Sequence, residues 1–403
     1  MPEAVIVATA RSPIGRAFKG SLVDLRPDDL AATIVGAVLD KVPQLDRAAI
    51  DDLILGCGLP GGEQGFNMAR VVSILAGLPD VPGCTVTRYC ASSLQAIRMA
   101  AHAVRAGEGD AFVAAGVECV SRYGKGTSDS LPDTQNPKFA AAGLRSLERS
   151  EGGQGPWTPA EGLPDIYIAM GQTAENVAEL EGVTREEMDE FACLSQNRAV
   201  RAQEVGFFER EITPVTLPDG GVVAEDDGPR PDTTVEKLAQ LQPAFRPDGK
   251  VTAGNACPLN DGAAAVVVTS DTLAADLGVT PLARIVSSGV SALDPEIMGL
   301  GPIEASRRAL DRAGMTIDDV DLVEINEAFA AQIIPSARHL GIDWDKLNVH
   351  GGAIPLGHPF GMTGARIMTT LLNGLEDADA TVGLETMCVG GGQGMAMIVE
   401  RLS

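Results

Sequence analysis

The residue with the clearest chemical potential is Cys90, which lies between a strand-like segment and a helix-like segment. Residues 84–89 are rich in β-branched and aromatic types, whereas residues 91–101 favour a helix, and Gly107 predicts its end. A helix N-terminus presents unpaired N–H groups and a positive dipole end, which favour a thiolate. Because the thiolate is the nucleophilic form, the segment predicts a catalytic nucleophile, with a buried structural thiol as the alternative.

Three later segments also carry residues with catalytic potential. Residues 326–329 read Asn-Glu-Ala-Phe after a predicted strand, where the asparagine would equally cap a helix. His358 lies between glycine and proline, where backbone approaches a ligand easily. Cys388 precedes a Gly-Gly-Gly run whose N–H groups suit an anion, although no Gly-Lys-Ser/Thr follows as in a phosphate loop. Each segment alone is also compatible with a structural role.

Helices and buried strands alternate in both halves of the chain and must position these residues. A helix–strand unit near residues 38–56 is repeated near residues 309–325, which indicates an internal duplication, with chance similarity as the alternative. From about residue 121 to 250 the composition shifts to Gly, Pro and Asp, interrupted by helices predicted at about 170–181 and 185–204. We expect this segment to be a lid-like insertion.

Composition excludes several classes of protein. A chain of 403 residues predicts two or three domains. The net charge of −24 repels nucleic acid and anionic membrane surfaces, so an anionic substrate needs a local cationic site. Its 7 cysteines are scattered without a CxxC pair, which predicts neither disulfides nor a metal site. Without a predicted signal peptide or spanning segment, we expect a cytoplasmic protein with no nucleic-acid partner and no membrane insertion.

Taken in order, the four segments resemble the thiolase family. The resemblance runs from residues 5–15, Val-Ile-Val-Ala-Thr-Ala-Arg-Ser-Pro-Ile-Gly, to the Cys-Val-Gly-Gly-Gly-Gln-Gly motif near the C-terminus. It implies an α/β thiolase fold of two duplicated βαβαβαββ halves packed as αβαβα layers. The implied N-terminal domain spans 1–272 and includes an inserted CoA-binding loop domain at about 121–250; the implied C-terminal domain spans 279–403.

The resemblance also implies a role for each catalytic candidate. Cys90 would carry the acyl group after His358 accepts its proton, and His358 with a water held by Asn326 would bind the acetyl-CoA carbonyl. The backbone N–H groups of Cys90 and Gly390 would hold the other oxyanion. Cys388 would protonate the acetyl-CoA enolate and then take the proton of an incoming CoA thiol.

Contacts to CoA or to the acyl group are implied for Arg230, Met170, Ala253, Cys257 and Phe329. An exposed loop arginine and ordinary helix packing are the alternatives for the first two. Several positions depart from the family pattern. Cys257 replaces the usual serine, Ser93 stands where glycine is common, and the histidine motif differs at His350, Pro355, Phe360 and Met362. Because a thiol is a weaker hydrogen-bond partner than a hydroxyl, we expect Cys257 to bind the pantetheine arm more weakly than the usual serine would.

The function expected from the resemblance is degradative: CoA-dependent cleavage of 3-ketoacyl-CoA by an acetyl-CoA C-acyltransferase. The alternative within the family is a biosynthetic acetoacetyl-CoA thiolase, an acetyl-CoA C-acetyltransferase. A ketoacyl synthase is disfavoured because that class uses two histidines and Asn326 occupies one of the places. A thiol redox sensor based on Cys90 and Cys388 is the alternative from another class. We expect CoA as a substrate, no permanently bound cofactor, a homodimer or homotetramer, and potential membership of a β-oxidation complex.

Overall fold

The computed structural model describes residues 2–128, 131, 134–153 and 155–403. Position 1 and positions 129, 130, 132, 133 and 154 of the predicted insertion lie outside the described residues. The strands are β1 (Ala4–Arg11), β2 (Gly15–Arg16), β3 (Asp52–Cys57), β4 (Gly83–Val86), β5 (Ala111–Cys119), β6 (Val215–Thr216), β7 (Val222–Val223), β8 (Asn260–Ser270), β9 (Ala283–Ala292), β10 (Leu322–Ile325), β11 (Val382–Val389) and β12 (Gln393–Arg401).

The helices connect these strands in both halves of the chain. They are α1 (Pro27–Asp40), α2 (Met68–Leu75), α3 (Ser92–Ala106), α4 (Ala140–Ser150), α5 (Met170–Leu180), α6 (Arg185–Glu204), α7 (Val235–Leu238), α8 (Asp271–Leu277), α9 (Gly301–Ala313), α10 (Ala330–Leu340), α11 (Ala353–Leu356) and α12 (Thr363–Asp377). Short 3₁₀ turns join several of these elements, including the turn at Tyr89–Ala91 that leads into α3.

One mixed sheet unites the two halves. Its order is β10-β11-β12-β9-β1-β8-β5-β3-β4, with β2 added beside β8. Pairing is parallel towards both ends, between β10 and β11 and between β3 and its neighbours, and antiparallel in the middle. The halves meet where β1 pairs with β9 through only Val5 with Arg284 and Ile6 with Ala283.

Apolar residues on both faces of the strands explain why helices cover the sheet from several sides. In β12, Met395, Met397 and Val399 pack into a central core with α3 and α12, whereas Ala396 and Ile398 pack against the C-terminal helices. This period-two division creates a central helical layer between the two halves and an outer helical layer on each side. The predicted layered α/β architecture is confirmed.

The helices that matter for the site agree closely with the sequence prediction. α3 follows Cys90 and ends before Gly107, whose φ of 74° gives the left-handed conformation that closes a helix. The predicted helices of the insertion are α5 and α6, and α6 begins with a capping box between Thr184 and Glu187. Within the described part of the chain, no helix is long and apolar enough to cross a membrane.

Candidate active site

The Cys90 side chain lies in a strained turn between β4 and α3. Tyr89 has a φ of 43°, an unfavourable value for a residue with a Cβ, and the turn sets the Cys90 thiol among backbone N–H groups. The backbone N–H groups of Gly390 and of Cys90 itself lie near the sulfur and favour its charged form. The sulfur therefore faces the two donors that sequence reasoning assigned to an oxyanion.

Burial decides the protonation state of Cys90. The residue is 8 % exposed, and burial raises its pKa to about 11 although the two N–H groups act in the opposite direction. The expectation that the helix start would favour a thiolate is therefore wrong for this structure, because desolvation of the charged form outweighs the nearby dipoles. Cys90 is a neutral thiol at rest and must lose its proton to a base during reaction.

His358 is held as a neutral ring whose free nitrogen faces Asn326. Its Nδ1 lies 2.6 Å from the Thr363 hydroxyl, and that hydroxyl donates to the Pro359 carbonyl at 2.8 Å. Because the hydroxyl proton is used on Pro359, we assign the ring proton to Nδ1. Nε2 is then an acceptor, 3.3 Å from Asn326 Nδ2.

The surroundings of His358 disfavour its charged form. Burial, with a smaller effect from the Arg366 guanidinium, lowers the pKa of His358 to about 3. The ring also packs edge-to-face on Phe360 at 5.1 Å between centroids, and Phe360 lines the same cavity as Cys90. His358 is thus a neutral imidazole at rest, and its unprotonated Nε2 faces Asn326.

Two buried glutamates fix the loops that carry these groups. Glu327 accepts hydrogen bonds from Ser195 Oγ, from Asn348 Nδ2 and from the Ile354 N–H at 2.7 to 3.0 Å, which anchors α11 just before His358. In the 326–329 motif the asparagine therefore faces the histidine, while the glutamate is structural.

Glu118, at the end of β5, plays the matching part on the other side of the histidine loop. It accepts from the N–H groups of Gly58 and Gly361 at 2.6 and 2.9 Å, and from Gln64 and Tyr123. Gly361 follows His358 by three residues, so Glu118 ties the histidine loop to the N-terminal half.

Cys388 lies at the end of β11, fully buried, before a turn in which Gly391 and Gly392 have positive φ. Burial raises its pKa well above the ordinary thiol value, and negative charge on Cys90 or on Cys257 would raise it further. Cys388 therefore keeps its proton and interacts electrostatically with both of the other thiols. Within the described residues, no group of three or more His, Cys, Asp or Glu side chains is arranged to hold a metal ion.

The residues predicted to contact CoA fall into two groups. The segment with Ala253 and Cys257 lies against the 326–329 motif, because the Cys257 N–H donates to Ala328 O at 3.1 Å and Ala256 bridges to Phe329. Burial raises the pKa of Cys257, and negative charge on Cys90 would raise it further. Met170, at the start of α5, lines the Cys90 cavity.

Arg230 lies elsewhere, outside the residues that line the Cys90 cavity. Its backbone N–H donates to Gln196 Oε1 at 3.0 Å, and nearby Gly228 approaches Pro355 O so closely that a Cβ would lie 1.9 Å from it. The Arg230 loop therefore packs on α11, which precedes His358, rather than on the walls around Cys90.

A cavity of about 1100 Å³ opens beside Cys90. Its walls combine the Tyr89–Cys90 turn, the Gly390–Gly391 turn, Met170 and residues of the insertion, including α4 and the 165–169 segment. The described site thus has a reactive end beside the thiol and a long wall built by the insertion.

Sequence reasoning missed Thr363 and Asn260. Thr363 fixes the tautomer of His358, and Asn260 Oδ1 accepts the His358 backbone N–H at 3.0 Å. Thr363 is the first residue of α12, a helix that the sequence analysis did not predict. Asn260 gave no comparable signal, since its contact depends on β8 lying beside the histidine loop.

A buried cysteine at a helix start, facing two N–H donors and accompanied by a neutral histidine, defines a cysteine-dependent acyl-transfer enzyme. The comparisons identify the family. Residues 4–272 match the model "Thiolase, N-terminal domain" and residues 279–401 match "Thiolase, C-terminal domain". The chain belongs to the thiolase family, and it is an acyltransferase.

Relatives of known activity are similar over the full length. The chain is 45 % identical over 412 residues to the 3-oxoadipyl-CoA/3-oxo-5,6-dehydrosuberyl-CoA thiolase of Escherichia coli, with all of both chains covered. It is 43 % identical to the 3-ketoacyl-CoA thiolase of Bacillus subtilis over 99 % of this chain and 100 % of that protein.

Two solved structures of similar fold also belong to proteins named as a thiolase and an acetyl-CoA acetyltransferase. The dimeric peroxisomal thiolase of Saccharomyces cerevisiae has a TM-score of 0.89 at 35 % identity, covering 99 % of this chain and 97 % of that one. The Bacillus anthracis acetyl-CoA acetyltransferase has a TM-score of 0.86 at 38 % identity, covering 100 % and 99 %.

Proposed function

We propose that the chain cleaves 3-ketoacyl-CoA with CoA, releasing acetyl-CoA and a shortened acyl-CoA through an acyl-Cys90 intermediate. The single observation that carries this proposal is the state of two groups: a buried neutral Cys90 thiol beside two backbone N–H donors, and a neutral His358 with an unprotonated Nε2 that packs on Phe360 of the same cavity. The degradative names of the Escherichia coli and Bacillus subtilis relatives support this direction.

In the first half-reaction, the Cys90 sulfur attacks the 3-keto carbon while His358 Nε2 takes the thiol proton. The N–H groups of Cys90 and Gly390 stabilise the alkoxide that forms. When the bond between C2 and C3 breaks, its electron pair passes to the acetyl-CoA enolate, whose oxygen accepts from the newly formed Nε2–H of His358 and from a water held by Asn326. Cys388 then protonates C2, leaving its own thiolate.

In the second half-reaction, the Cys388 thiolate takes the proton of CoA, and the CoA sulfur attacks the acyl-Cys90 thioester. The same two N–H groups stabilise this second oxyanion. Collapse expels the Cys90 sulfur, which recovers its proton from His358. The raised pKa of Cys388 suits both steps, since a buried thiol gives its proton readily only to a strong base such as an enolate.

The same residues run in reverse as a biosynthetic condensation of two acetyl-CoA molecules, and the similarity to an acetyl-CoA acetyltransferase favours keeping that activity as the second candidate. A thiol redox sensor is disfavoured, because sensing cysteines have a low pKa and the pKa values of Cys90 and Cys388 are both raised.

We further propose that the insertion at about 121–250, within a first domain of 1–272, holds CoA. Arg230 would bind the anionic adenosine end, and Ala253, Cys257 and Phe329 would line the path of the pantetheine arm. The second domain would span 279–403 and supply Asn326, His358 and Cys388. The dimeric state of the yeast neighbour supports a homo-oligomer, for which we expect a homodimer or a homotetramer.

Mass spectrometry after incubation with 3-oxodecanoyl-CoA or acetoacetyl-CoA in the absence of CoA tests the mechanism. We expect an acyl mass on Cys90 that disappears when CoA is added and is missing from Cys90→Ala. Cys84→Ala, which alters a half-buried thiol on β4, is the matched control and should keep the adduct. A wild-type protein without adduct or thiolytic turnover on either substrate would overturn the proposal.

A further inference from the structure

The cavity beside Cys90 carries information about the acyl group. Resting on the function proposed above, we infer that this cavity selects 3-oxoacyl-CoA substrates with an extended, uncharged acyl chain. It rejects substrates with a carboxylate at the far end of that chain.

The wall that faces an acyl chain is largely apolar. Starting from Cys90, the lining passes Met170 and reaches α4 and the 165–169 segment, with hydrophobic side chains from each element: Phe139, Leu144, Leu147, Ile166 and Ile168. Phe139 and Tyr167 stack edge-to-face at 5.6 Å, which braces the far wall. Contact with such a surface stabilises bound methylene groups, whereas the apolar side chains provide no ion pair for a charged group.

No cation lines this cavity in the described part of the chain. Positions 129, 130, 132, 133 and 154, which lie outside it, carry no Lys, Arg or His in the sequence either. A carboxylate at the far end of an acyl chain would find no oppositely charged partner on this wall, and it would forgo the gain that an apolar chain end makes there.

The basic residues nearest to the wall are directed elsewhere. On α4, Arg145 donates to Leu163 O at 2.7 Å, and Arg149 pairs with Glu179 at 2.6 Å. Lys138 is exposed between two lining residues and is not itself part of the lining. Recruiting either arginine would require breaking its contact.

The charge that the cavity does contain is negative. Asp165 lines it and is 4 % exposed. Its side chain accepts the Tyr167 N–H at 3.0 Å, while its own N–H donates to the buried Glu296 at 2.9 Å. Glu296 is fixed in turn by the Trp157 indole at 2.8 Å. This acidic group repels a second carboxylate that approaches it.

The inference separates this chain from a relative that is 45 % identical and named for 3-oxoadipyl-CoA, whose acyl group ends in a carboxylate. The catalytic residues do not distinguish the two substrate classes. The insertion does, because it supplies most of the wall.

Initial rates of thiolysis by the full-length protein test the inference with a matched pair of substrates. 3-Oxohexanoyl-CoA and 3-oxoadipyl-CoA have the same chain length and differ by a terminal methyl against a carboxylate. We expect kcat/KM to favour the hexanoyl substrate by at least about 100-fold, as for a charge without a partner. 3-Oxodecanoyl-CoA should match or exceed acetoacetyl-CoA in kcat/KM.

Two variants test whether Asp165 contributes to the ratio of kcat/KM between the two substrates. Asp165→Asn keeps an oxygen for the Tyr167 N–H and should narrow the ratio between the two six-carbon substrates, whereas Asp219→Asn, in the exposed turn between β6 and β7, should leave that ratio unchanged. A wild-type ratio below about tenfold, a preference for 3-oxoadipyl-CoA, or a tenfold loss on 3-oxodecanoyl-CoA would overturn the inference. Inactivity on every substrate, including acetoacetyl-CoA, would instead overturn the proposed function.

Discussion

The floor of the site and its outer wall are built in opposite ways. On the floor, His358 and Asn326 are 1 % and 0 % exposed, and Glu327 and Thr363 hold the histidine loop through hydrogen bonds shorter than 3.1 Å. On the wall, Leu144 and Leu147 of α4 are 61 % and 60 % exposed although they line the cavity.

The difference shows which property each region supplies. Proton transfer requires the atoms to stay within a few tenths of an ångström of a productive geometry, so the floor is held by buried polar contacts. Chain selection requires only an apolar surface without a partner for charge, so the wall tolerates loose, exposed side chains. Substitutions on the floor should therefore change rates strongly, and those on the wall should change preference.

Replacing the base should have the largest effect. His358→Asn removes the acceptor for the Cys90 proton, and we expect kcat to fall by about 10²–10⁴-fold. His339→Asn is the control, since that histidine is exposed on α10 and pairs with Glu181. Steady-state thiolysis measures both. A fall of less than tenfold would show that the floor does not depend on His358.

Asn326→Asp should rank second. The carboxylate would lie beside His358 Nε2 and stabilise the imidazolium, so the pKa of His358 rises while the Nδ2 donor is lost. We expect kcat to fall by about 10²–10³-fold and the acidic limb of the pH–rate profile to move towards neutral pH. Asn197→Asp, exposed on α6, should change neither. An unmoved acidic limb would contradict the assigned contact.

Acid should destabilise the fold through the buried His358 and the partly buried His350. The pKa of His358 is lowered to about 3 and that of His350 to about 4, from 6.5. Because the pKa of each histidine is lower in the folded state than in the unfolded state, keeping the ring neutral stabilises the fold fully above pH 6.5. This stabilisation is lost as the pH falls towards 3. For each of these histidines, the free energy of unfolding should fall by about 1.4 kcal/mol for each pH unit between its unfolded and folded pKa values.

Urea unfolding at several pH values measures this slope. His358→Asn should have a shallower acid slope than the wild type, while His339→Asn should keep the wild-type slope. Equal slopes in all three proteins would show that burial of His358 does not resist protonation.

Thr363→Val should lower kcat less than Asn326→Asp or His358→Asn does. It removes the acceptor for the Nδ1 proton while keeping the shape of the side chain, so the histidine loses its fixed tautomer. We expect about a tenfold fall in kcat, equivalent to one hydrogen bond. Thr363→Ser should recover most of the rate. A serine variant as slow as the valine variant would assign the loss to packing.

A substitution in the wall should have the smallest effect of all, a small change in the free energy of unfolding. Leu144→Ala alters an exposed side chain, so the free energy of unfolding should change by less than about 0.5 kcal/mol. Leu94→Ala, in the central core on α3, should cost about 2–5 kcal/mol by comparison. Urea unfolding of both variants checks this difference. Equal losses would mean that the wall is as tightly packed as the interior.

Much of the floor could be predicted from the sequence because its residues stand in short motifs. Cys90, Asn326, His358 and Cys388 each follow a strand or a glycine-containing loop, and strand ends of a duplicated α/β fold converge. The neutral state of the Cys90 thiol could not be predicted, since it depends on burial by elements distant in the sequence. The partners Thr363 and Asn260 likewise depend on tertiary packing.

The wall was less accessible to prediction. Leu144 and Leu147 lie in a segment whose composition indicates only an insertion with loops. Nothing in their local pattern shows that they face the same cavity as Cys90, because that contact depends on how α4 returns to the sheet. The place of Asp165 in the cavity likewise depends on tertiary packing.

The position of β1 in the sheet has a consequence for synthesis on the ribosome. β1 pairs along its length with β8, from Ala4 with Ser270 to Arg11 with Ala264, and more briefly with β9. At about 5–20 residues per second, the first strand emerges and then waits on the order of ten seconds to a minute for its partner. Protease sensitivity of stalled nascent chains, compared before and well after β8 has left the ribosome, would test whether β1 stays unpaired until then.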